Sequence, residues 1–344
     1  MKTLSIVVPS YNMEKYIERC LDSFISEKIM DRIEVLVIND GSKDSTLQIA
    51  KGYEEKYPGT FIAVDKINGG HGSTINKGIE LATGKYFKVV DADDWVDTDA
   101  LIKLVDFLDA CDSDLVATHF ATVNLVDDKK EEIRFNDVEF ERNYSWPEIV
   151  AKKMVIPMHS ITYKTSVLKD NGIRLQEKTF YVDIEYNLLP VPYVYSIIFF
   201  DIVLYQYFLG RPDQSVARNS LLKNYDHTVR VDRRIFKYYS EVEMKEQNRE
   251  YLRFFLVSFI RDHYYSLANL PDKPANNYKR CVEYDAMLKE LSPELYGLTG
   301  NWYINLIRKT GGRIVKVLSV IQPLWSFKVK PALGLLKPVR IKQA

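Results

Sequence analysis

Short apolar runs alternate with amphipathic, helix-like stretches through the first third of the chain. Runs rich in β-branched and aromatic residues predict five strands, at Thr3–Val8, Glu34–Asn39, Phe61–Asp65, Tyr86–Val90 and Asp114–Thr118. Apolar residues at helical spacing lie between them and predict helices near Tyr16–Phe24, Ser45–Tyr57, Ser73–Ala82 and Leu101–Leu108. Such alternation is typical of parallel strands joined by crossover helices. The pattern therefore predicts an α/β fold with a doubly wound sheet.

Polar or acidic loops follow four of the predicted strands. These loops begin at Pro9, Asp40, Asp65 and Asp91. In open α/β sheets, ligands bind beyond the carboxyl ends of the strands. The four loops therefore predict an active-site rim along one edge of the sheet.

Three carboxylates follow the fourth predicted strand, at Asp91, Asp93 and Asp94. Like charges packed together raise the energy of the folded state unless a cation neutralises them. Oxygen ligands suit Mg²⁺ or Mn²⁺, and Mg²⁺ sites commonly combine one or two carboxylates with substrate phosphates. We therefore expect Asp91 and Asp93 to bind a metal with a diphosphate substrate. For Asp94 we favour a place at the start of the next helix.

Two familiar phosphate-binding patterns are missing, because neither GxxxxGK[ST] nor a GxGxxG after the first strand occurs. P-loop enzymes and dinucleotide dehydrogenases are therefore poor candidates. A glycine cluster, Gly69, Gly70 and Gly72 with His71, follows the third strand. Its N–H groups could approach an anion at the helix start. Alternatively, Gly69 and Gly72 serve a tight loop that requires positive φ.

The bulk composition narrows the class of protein. A chain of 344 residues predicts a large catalytic domain with an accessory region, and 47 basic residues balance 47 acidic ones, which argues against a nucleic-acid partner. Three scattered cysteines without CxxC spacing favour a reducing cytoplasm. The first residues are expected to form a strand rather than a signal peptide. Residues 188–209 are apolar, but prolines and polar residues interrupt them, so we predict buried strands and no membrane span.

Four stretches of the chain resemble the family-2 glycosyltransferases of the GT-A fold. They are SIVVPSYN at 5–12, EVLVINDGSKDST at 34–46, NKGIELATGKY at 76–86 and VDADDW at 90–95. Their order and spacing make the resemblance specific over roughly residues 1–120, and it weakens towards residue 218. The resemblance implies an inverting enzyme that uses Mg²⁺ or Mn²⁺. It also implies transfer of a sugar from a nucleotide donor, with UDP as the expected nucleotide, to an acceptor hydroxyl.

The resemblance also implies roles for residues on the donor side. Pro9 and Tyr11 would line the nucleoside pocket, Asp40 would accept hydrogen bonds from the uracil ring, and Asp93 of the DxD motif would coordinate the metal. Asp91 would contact the ribose or the metal's waters. The remaining residues expected to bind the nucleotide sugar are Asp65, Lys66, Asn68, Gly70 and Ala92. Relatives often carry a basic residue where Ile75 stands here, which makes His71 a candidate replacement unless it is simply solvated.

Family members usually place the catalytic base, an Asp, after the DxD strand. The local match implies Asp183 as the base, with Glu185 as the alternative if the backbone there is extended. Both residues could instead cap or solvate a helix that begins near Tyr181. On the acceptor side, His159 falls in a segment that resembles the acceptor region. Arg211 and Arg218 could clamp a phosphate or lie on a solvated loop.

The last third of the chain has a helical pattern without an active-site signature, including a predicted helix at Tyr278–Leu291. From residue 308 onward nine basic residues and Trp325 occur with no acidic residue. This composition suits docking on an anionic membrane surface, although an ordinary packed or disordered tail is equally compatible. We therefore predict a catalytic domain at 1–218, a helical region at 219–300 and a basic amphipathic tail at 301–344.

Together these features predict a cytoplasmic enzyme, peripheral at the inner face of the cell membrane, that adds one sugar per acceptor. The expected acceptor is a sugar or a lipid-linked saccharide in cell-envelope or exopolysaccharide synthesis. Residues 214–218, QSVAR, match the QxxRW motif only at Gln214, which argues against a processive synthase. The alternatives are a nucleotidyltransferase that acts on sugar phosphates and an inert carbohydrate-binding or scaffold protein.

Overall fold

The computed structural model describes residues 2–124, 129–209 and 218–315. It divides into two compact units. The first holds the described residues up to 148 and those of 156–209, and the second holds 149–155 and the described residues from 218 onward.

Ten strands of the first unit form one mixed sheet. They are β1 (Leu4–Ser10), β2 (Ile33–Asn39), β3 (Phe61–Asp65), β4 (Tyr86–Val89), β5 (Trp95–Val96), β6 (Leu115–Asn124), β7 (Lys129–Ile133), β8 (Asn143–Tyr144), β9 (Ile161–Lys164) and β10 (Ile197–Leu209). Their spatial order is β3-β2-β1-β4-β9-β6-β10-β5, with β7 beside β6 and β8 beside β10. Strands β3, β2, β1 and β4 are mutually parallel, as β6 and β10 are, whereas β9 is antiparallel to both its neighbours.

Helices connect these strands and continue into the second unit. The helices before residue 209 are α1 (Ile17–Asp22), α2 (Thr46–Lys56), α3 (His71–Leu81), α4 (Thr98–Ala110), α5 (Trp146–Ala151), α6 (Thr165–Lys169) and α7 (Asp183–Leu188). Two 3₁₀ turns lie at Met158–Ser160 and Val191–Tyr193. The later helices are α8 (Arg218–Lys223), α9 (Tyr225–Glu241), α10 (Glu246–Ala268), α11 (Pro274–Leu291), α12 (Pro293–Leu298) and α13 (Trp302–Lys309).

Burial explains why the first strands are apolar almost without interruption. Every residue of β1 and β2 is buried, as expected for parallel strands covered on both faces. The buried Glu34 of β2 remains paired, because Ser5 and Thr83 donate hydrogen bonds to its carboxylate. The predicted α/β sheet with a helical C-terminal region is confirmed.

Two predicted boundaries differ from the structure. Helix α4 begins at Thr98, and its cap is Asp97, which accepts a 2.8 Å hydrogen bond from Ala100 N. The expectation that Asp94 starts this helix is therefore wrong. Helix α3 begins at His71 rather than Ser73, because Gly70 adopts φ +81° as its N-cap.

The apolar stretch at residues 188–209 mainly forms β10, which lies inside the sheet. Among the described residues, no helix is long and apolar enough to cross a membrane. In the second unit, Ile235, Tyr239, Tyr251, Phe255 and Ile260 are buried in the core. Helix α11 contains the predicted helix and extends it back to Pro274.

Candidate active site

The carboxyl ends of β1, β2, β3 and β4 lie side by side, because the four strands are parallel neighbours. Pro9 is buried within β1, whereas the Tyr11 side chain just beyond it is 44% exposed. Asn39 Nδ2, at the end of β2, donates a 2.7 Å hydrogen bond to Asp65 Oδ1 at the end of β3. The predicted rim of polar loops therefore exists along one edge of the sheet.

Asp40 organises the loop that follows β3. Its carboxylate is almost fully buried and accepts hydrogen bonds from Gly69 N at 2.9 Å, Gly70 N at 2.7 Å and Lys66 Nζ at 2.6 Å. Asn68 Nδ2 donates to the main-chain oxygen of Asp40 at 2.8 Å. Asp40 thus fixes the loop at residues 66–70. The contact with a uracil ring stays a prediction.

The glycine cluster allows a positive φ at one position and a close contact with another backbone segment at a second position. Gly70 is the member with positive φ, so the sequence interpretation for Gly69 and Gly72 is wrong. A Cβ on Gly72 would lie 2.2 Å from the main-chain oxygen of Gln176. Lys178 N also donates a hydrogen bond of 2.5 Å to Gly69 O. The loop therefore packs against the segment that leads into α7.

His71, the first residue of α3, contacts the DxD turn directly. Its Nε2 lies 2.8 Å from Asp91 Oδ1. Burial alone lowers the pKa of His71, but the charges of Asp91, Asp183 and Asp93 and the hydrogen bond to Asp91 outweigh it. The net result is a raised pKa. His71 is therefore part of the site rather than a solvated loop histidine.

The three carboxylates after β4 have separate structural roles. Asp94 is 1% exposed, and it accepts hydrogen bonds from Tyr205 Oη at 2.5 Å and Phe208 N at 2.7 Å. Burial and the nearby charges of Asp93 and Asp91 raise the pKa of Asp94 well above its usual value. Asp94 therefore joins the DxD turn to β10. The buried Ala92 lies between Asp91 and Asp93, the two remaining candidates for ligand contact.

The donor set at this turn fits a metal that arrives with its substrate. Within residues 2–124, 129–209 and 218–315 there is no group of three or more His, Cys, Asp or Glu side chains arranged for a metal ion. Mg²⁺ usually takes one or two protein carboxylates and fills its other positions with water and phosphate oxygens. Asp91 and Asp93 supply two carboxylates close enough for their charges to act together on Asp94.

Asp183 and Glu185 lie in helix α7, with Asp183 as its first residue. Burial raises the pKa of Asp183, and so does the charge of Asp91, while His71 opposes the shift. Glu185 is 0% exposed and accepts hydrogen bonds from Gln176 N at 2.7 Å and Gln176 Nε2 at 2.5 Å. Because residues two apart on a helix point in different directions, the extended backbone that would align Glu185 with Asp183 is absent.

His159 lies in the 3₁₀ turn at Met158–Ser160, inside a group of aromatic rings. Its ring centroid is 5.3 Å from that of Phe120, 4.9 Å from Tyr205 and 4.5 Å from Tyr207. Burial lowers the pKa of His159 to about 4, so its imidazole is neutral at physiological pH. Its Nδ1 is buried without a hydrogen-bond partner among the described residues.

Three further residues near the site were missed by sequence reasoning. Lys88 is 0% exposed, and its Nζ donates to the main-chain oxygens of His159 at 3.0 Å and Ile161 at 3.1 Å. Tyr205 receives a 3.2 Å hydrogen bond from Asp91 N. The Tyr207 ring lies 4.5 Å from the His159 ring, centroid to centroid, and burial together with the charges of the site carboxylates raises the pKa of Tyr207. The only available signal was the Tyr-x-Tyr alternation within an apolar strand.

The two predicted arginines cannot be placed in the site. Arg211 lies outside the described residues. Arg218 is the first residue of α8, and its side chain also lies outside the described part of the structure.

Residues 5–168 match the family described as glycosyl transferase family 2. The poly(ribitol-phosphate) beta-glucosyltransferase of Bacillus spizizenii is 30% identical over 173 residues, which cover 49% of this chain and 26% of that protein. The uncharacterized glycosyltransferase YibD of Escherichia coli is 42% identical over 93 residues, covering 27% of this chain and 26% of YibD. The alignments thus span about a quarter of each of these relatives.

Solved structures resemble the chain over more of its length. Residues 1–349 of S. aureus TarS in complex with UDP-GlcNAc align with a TM-score of 0.64 and 20% identity, covering 94% of this chain and 92% of that one. The mannosyltransferase PcManGT from Pyrobaculum calidifontis, in complex with GDP-Man and Mn²⁺, gives 0.53 and 16% identity, covering 94% and 88%. Residues 5–168 therefore form a glycosyltransferase family 2 domain, and the structural likeness shows a GT-A fold.

Proposed function

We propose that this protein transfers a single sugar from a nucleotide donor, with UDP as the expected nucleotide, to an acceptor hydroxyl in a metal-dependent reaction. The observation that carries the proposal is the meeting of Asp91, Asp93 and Asp183 around His71. The charges of all three carboxylates act on the His71 imidazole. These three carboxylates, from the turn after β4 and from α7, would supply both ligands for a metal and a base at one edge of the sheet.

Asp183 is the proposed base. Its carboxylate takes the proton from the acceptor hydroxyl while that oxygen forms a bond to the anomeric carbon of the donor. The bond between the anomeric carbon and the phosphate oxygen breaks, and the nucleoside diphosphate leaves. Attack opposite the leaving group inverts the anomeric centre. Its raised pKa suits Asp183 to this role, because a stronger base accepts the proton more readily.

Glu185 is the less suitable candidate for the base. Both of its carboxylate oxygens accept hydrogen bonds from Gln176, and its side chain is fully buried. We assign it a positioning role, because it fixes the segment that packs on Gly72 and leads to Asp183.

The donor side is assigned to the rim of loops. Tyr11 presents an exposed ring suited to stacking on a base, and Asp65, at the end of β3, and Lys66, which follows it, would border the same pocket. Asp40 would contribute in two ways. It would contact the base directly, and it holds the loop that carries Asn68 and Gly70. TarS in its complexes with UDP-GlcNAc and UDP, and PcManGT with GDP-Man, support a nucleotide sugar as the class of donor.

Asp93 and Asp91 would hold a bound Mg²⁺ or Mn²⁺. The ion would neutralise the charge that develops on the departing diphosphate. The Mn²⁺ in the PcManGT complex supports this class of cofactor. His71 Nε2 contacts Asp91 Oδ1, and this imidazole would take the place of the basic residue that relatives often carry at the position of Ile75.

The acceptor side is assigned to His159 and Tyr207. The neutral His159 ring has a buried Nδ1 without a partner among the described residues, and the half-buried Tyr207 packs against it beside the carboxylates. Both can exchange hydrogen bonds with a sugar hydroxyl. Arg211 and Arg218 remain candidates for an acceptor phosphate.

The names of related proteins favour an acceptor in cell-envelope or exopolysaccharide synthesis. They include a poly(ribitol-phosphate) beta-glucosyltransferase and a minor teichoic acid biosynthesis protein. A sugar or lipid-linked saccharide at the cytoplasmic face of the membrane fits this class. The basic tail predicted at 301–344 would then bring the enzyme to anionic lipid.

The decisive test is an assay of the purified protein with a panel of nucleotide sugars and Mn²⁺ or Mg²⁺. Release of a nucleoside diphosphate that depends on the metal and is lost in Asp93→Ala is the expected result. Release of pyrophosphate from a nucleoside triphosphate and a sugar phosphate would indicate a nucleotidyltransferase instead. Neither turnover nor nucleotide-sugar binding would leave the inert scaffold as the better description.

A further inference from the structure

Helix α13 of the second unit presents a large apolar side chain to solvent. Trp302, its first residue, is 73% exposed, and Leu298, at the end of α12, is 44% exposed. Asn301 caps α13 by accepting a 2.8 Å hydrogen bond from Ile304 N, which fixes where the helix begins. Trp302 is therefore exposed at the start of a capped helix rather than in an irregular loop.

The two sides of α13 differ in character. At 100° per residue, Trp302, Asn305, Leu306 and Lys309 fall within an arc of about 100°. Trp302, Asn305 and Lys309 are exposed and Leu306 is half-buried. On the opposite side, Tyr303, Ile304 and Ile307 are buried, and the Tyr303 ring stacks on Tyr265 with centroids 4.4 Å apart. Helix α13 is thus anchored by one side and leaves an apolar and cationic face outside.

The exposed charged residues of α13 and of the described residues after Thr310 are both basic, and they are Lys309 and Arg313. Lys309 and Arg313 are exposed, and neither forms an ion pair within the described residues. Arg308 belongs to the interior instead, because its Nε donates to Asp285 at 2.8 Å and its guanidinium lies 3.7 Å from the centre of the Tyr296 ring. Residues 316–344 add six basic residues and no acidic one.

We propose that the outer face of α13, defined by Trp302, Leu306 and Lys309, docks on an anionic lipid surface together with the exposed Leu298 and Arg313, which precede and follow this helix in the chain. Tryptophan favours the boundary between headgroups and acyl chains, and lysine and arginine are attracted to anionic headgroups. A second copy is a poorer occupant, since a symmetric dimer through this face would bring like charges together. The inference deepens the proposed function, because a lipid-linked acceptor would be presented at that surface.

Binding of the full-length protein to vesicles tests this surface. We expect cosedimentation with phosphatidylglycerol-containing vesicles and weak binding to pure phosphatidylcholine. The double variant Lys309→Gln, Arg313→Gln should lower partitioning onto anionic vesicles roughly 30-fold, since two cations near the surface are lost. Trp302→Ala should lower it on the order of 10-fold. Tyr195→Ala, which removes an aromatic side chain that is 48% exposed in the first unit, should bind like the parent protein.

Three results would overturn the assignment. Equal binding of the parent protein to both kinds of vesicle would remove the anionic surface as the partner. Unchanged binding of both α13 variants would remove this face. If light scattering showed that the parent protein is a dimer and that these variants are monomers, the face would be assigned to a second copy. Nucleoside diphosphate release without vesicles should be equal in all these proteins, so loss of docking is distinguishable from failure of the proposed transferase.

Discussion

His71 Nε2 lies 2.8 Å from Asp91 Oδ1, which joins the first residue of α3 to the turn after β4. The contact connects the glycine-rich loop held by Asp40 with the proposed metal ligands. Residues that orient metal ligands typically contribute 10- to 100-fold to metal affinity or activity.

We therefore expect His71→Ala to lower metal-dependent turnover by about 10- to 100-fold. The concentration of Mn²⁺ needed for half-maximal activity should rise, because Asp91 loses its orienting partner. Titration of activity with Mn²⁺ measures both changes. Lys77→Ala, at a half-buried position of the same helix, is the matched control. An unchanged Mn²⁺ dependence in His71→Ala would separate this histidine from the metal site.

Asp93 and Asp94 are neighbours with opposite expected phenotypes. Asp93→Ala should reduce turnover at least 100-fold, because the metal would lose a carboxylate ligand, and it should lower the free energy of unfolding less than Asp94→Ala does. Asp94→Ala should destabilise the protein by about 2–4 kcal/mol, since Tyr205 Oη and Phe208 N lose their acceptor. Urea unfolding and nucleoside diphosphate release distinguish the two variants. Turnover of Asp93→Ala at the parent rate would contradict the assignment of the metal.

Asp183 should determine the acid side of the pH profile. Its pKa is raised by burial, so transfer should decline as the pH falls through a value above the usual carboxyl range. Asp183→Asn should lower kcat by roughly 10²- to 10⁴-fold without weakening nucleotide binding. Glu185→Ala should instead lower the thermal midpoint, because two donors of Gln176 lose their acceptor. Retention of the acid limb in Asp183→Asn would exclude this residue as the base.

Lys88 should make the stability of the first unit depend on pH. Burial lowers its pKa to about 7, whereas in the unfolded chain the group keeps a value near 10.5. Between these values the unfolded state binds more protons, so stability rises with pH and is lost as the pH falls towards 7. Below pH 7 the shifted pKa of Lys88 should lower the free energy of unfolding by about 5 kcal/mol relative to its value above pH 10.5.

The difference between the parent protein and Lys88→Met isolates this contribution. Urea unfolding at pH 7 and pH 9 should show the parent protein gaining stability relative to Lys88→Met at the higher pH. A constant difference between the two proteins would mean that Lys88 titrates normally. Lys85→Met, on the same segment but outside the core, provides the comparison.

His159 is expected to contribute to transfer through hydrogen bonds from its ring nitrogens to the acceptor, rather than through the packing of its ring. His159→Phe keeps a ring against Phe120 and Tyr207, so the thermal midpoint should stay within about 2–4 °C of the parent value. Transfer to an acceptor should fall, while donor hydrolysis by water should persist. If both reactions fall equally, His159 would belong to the donor side or to the fold instead.

The sequence determined the fold class and the position of the rim. Apolar runs such as Thr3–Val8 and Glu34–Asn39 are local signals, and parallel pairing then places their carboxyl ends together. The DxD residues could be found for the same reason, since Asp91 and Asp93 follow a strand directly. A pattern of this kind depends only on neighbours in the chain.

The tertiary structure decided which polar side chain has which partner. Asp94 accepts its hydrogen bonds from Tyr205 and Phe208, more than a hundred positions away, and nothing beside it in the chain distinguishes it from Asp93. Glu185 is satisfied by Gln176, and Arg308 by Asp285. Hydrogen bonds and desolvation depend on atoms brought together by folding, so burial and pKa at these positions follow only from the packed structure.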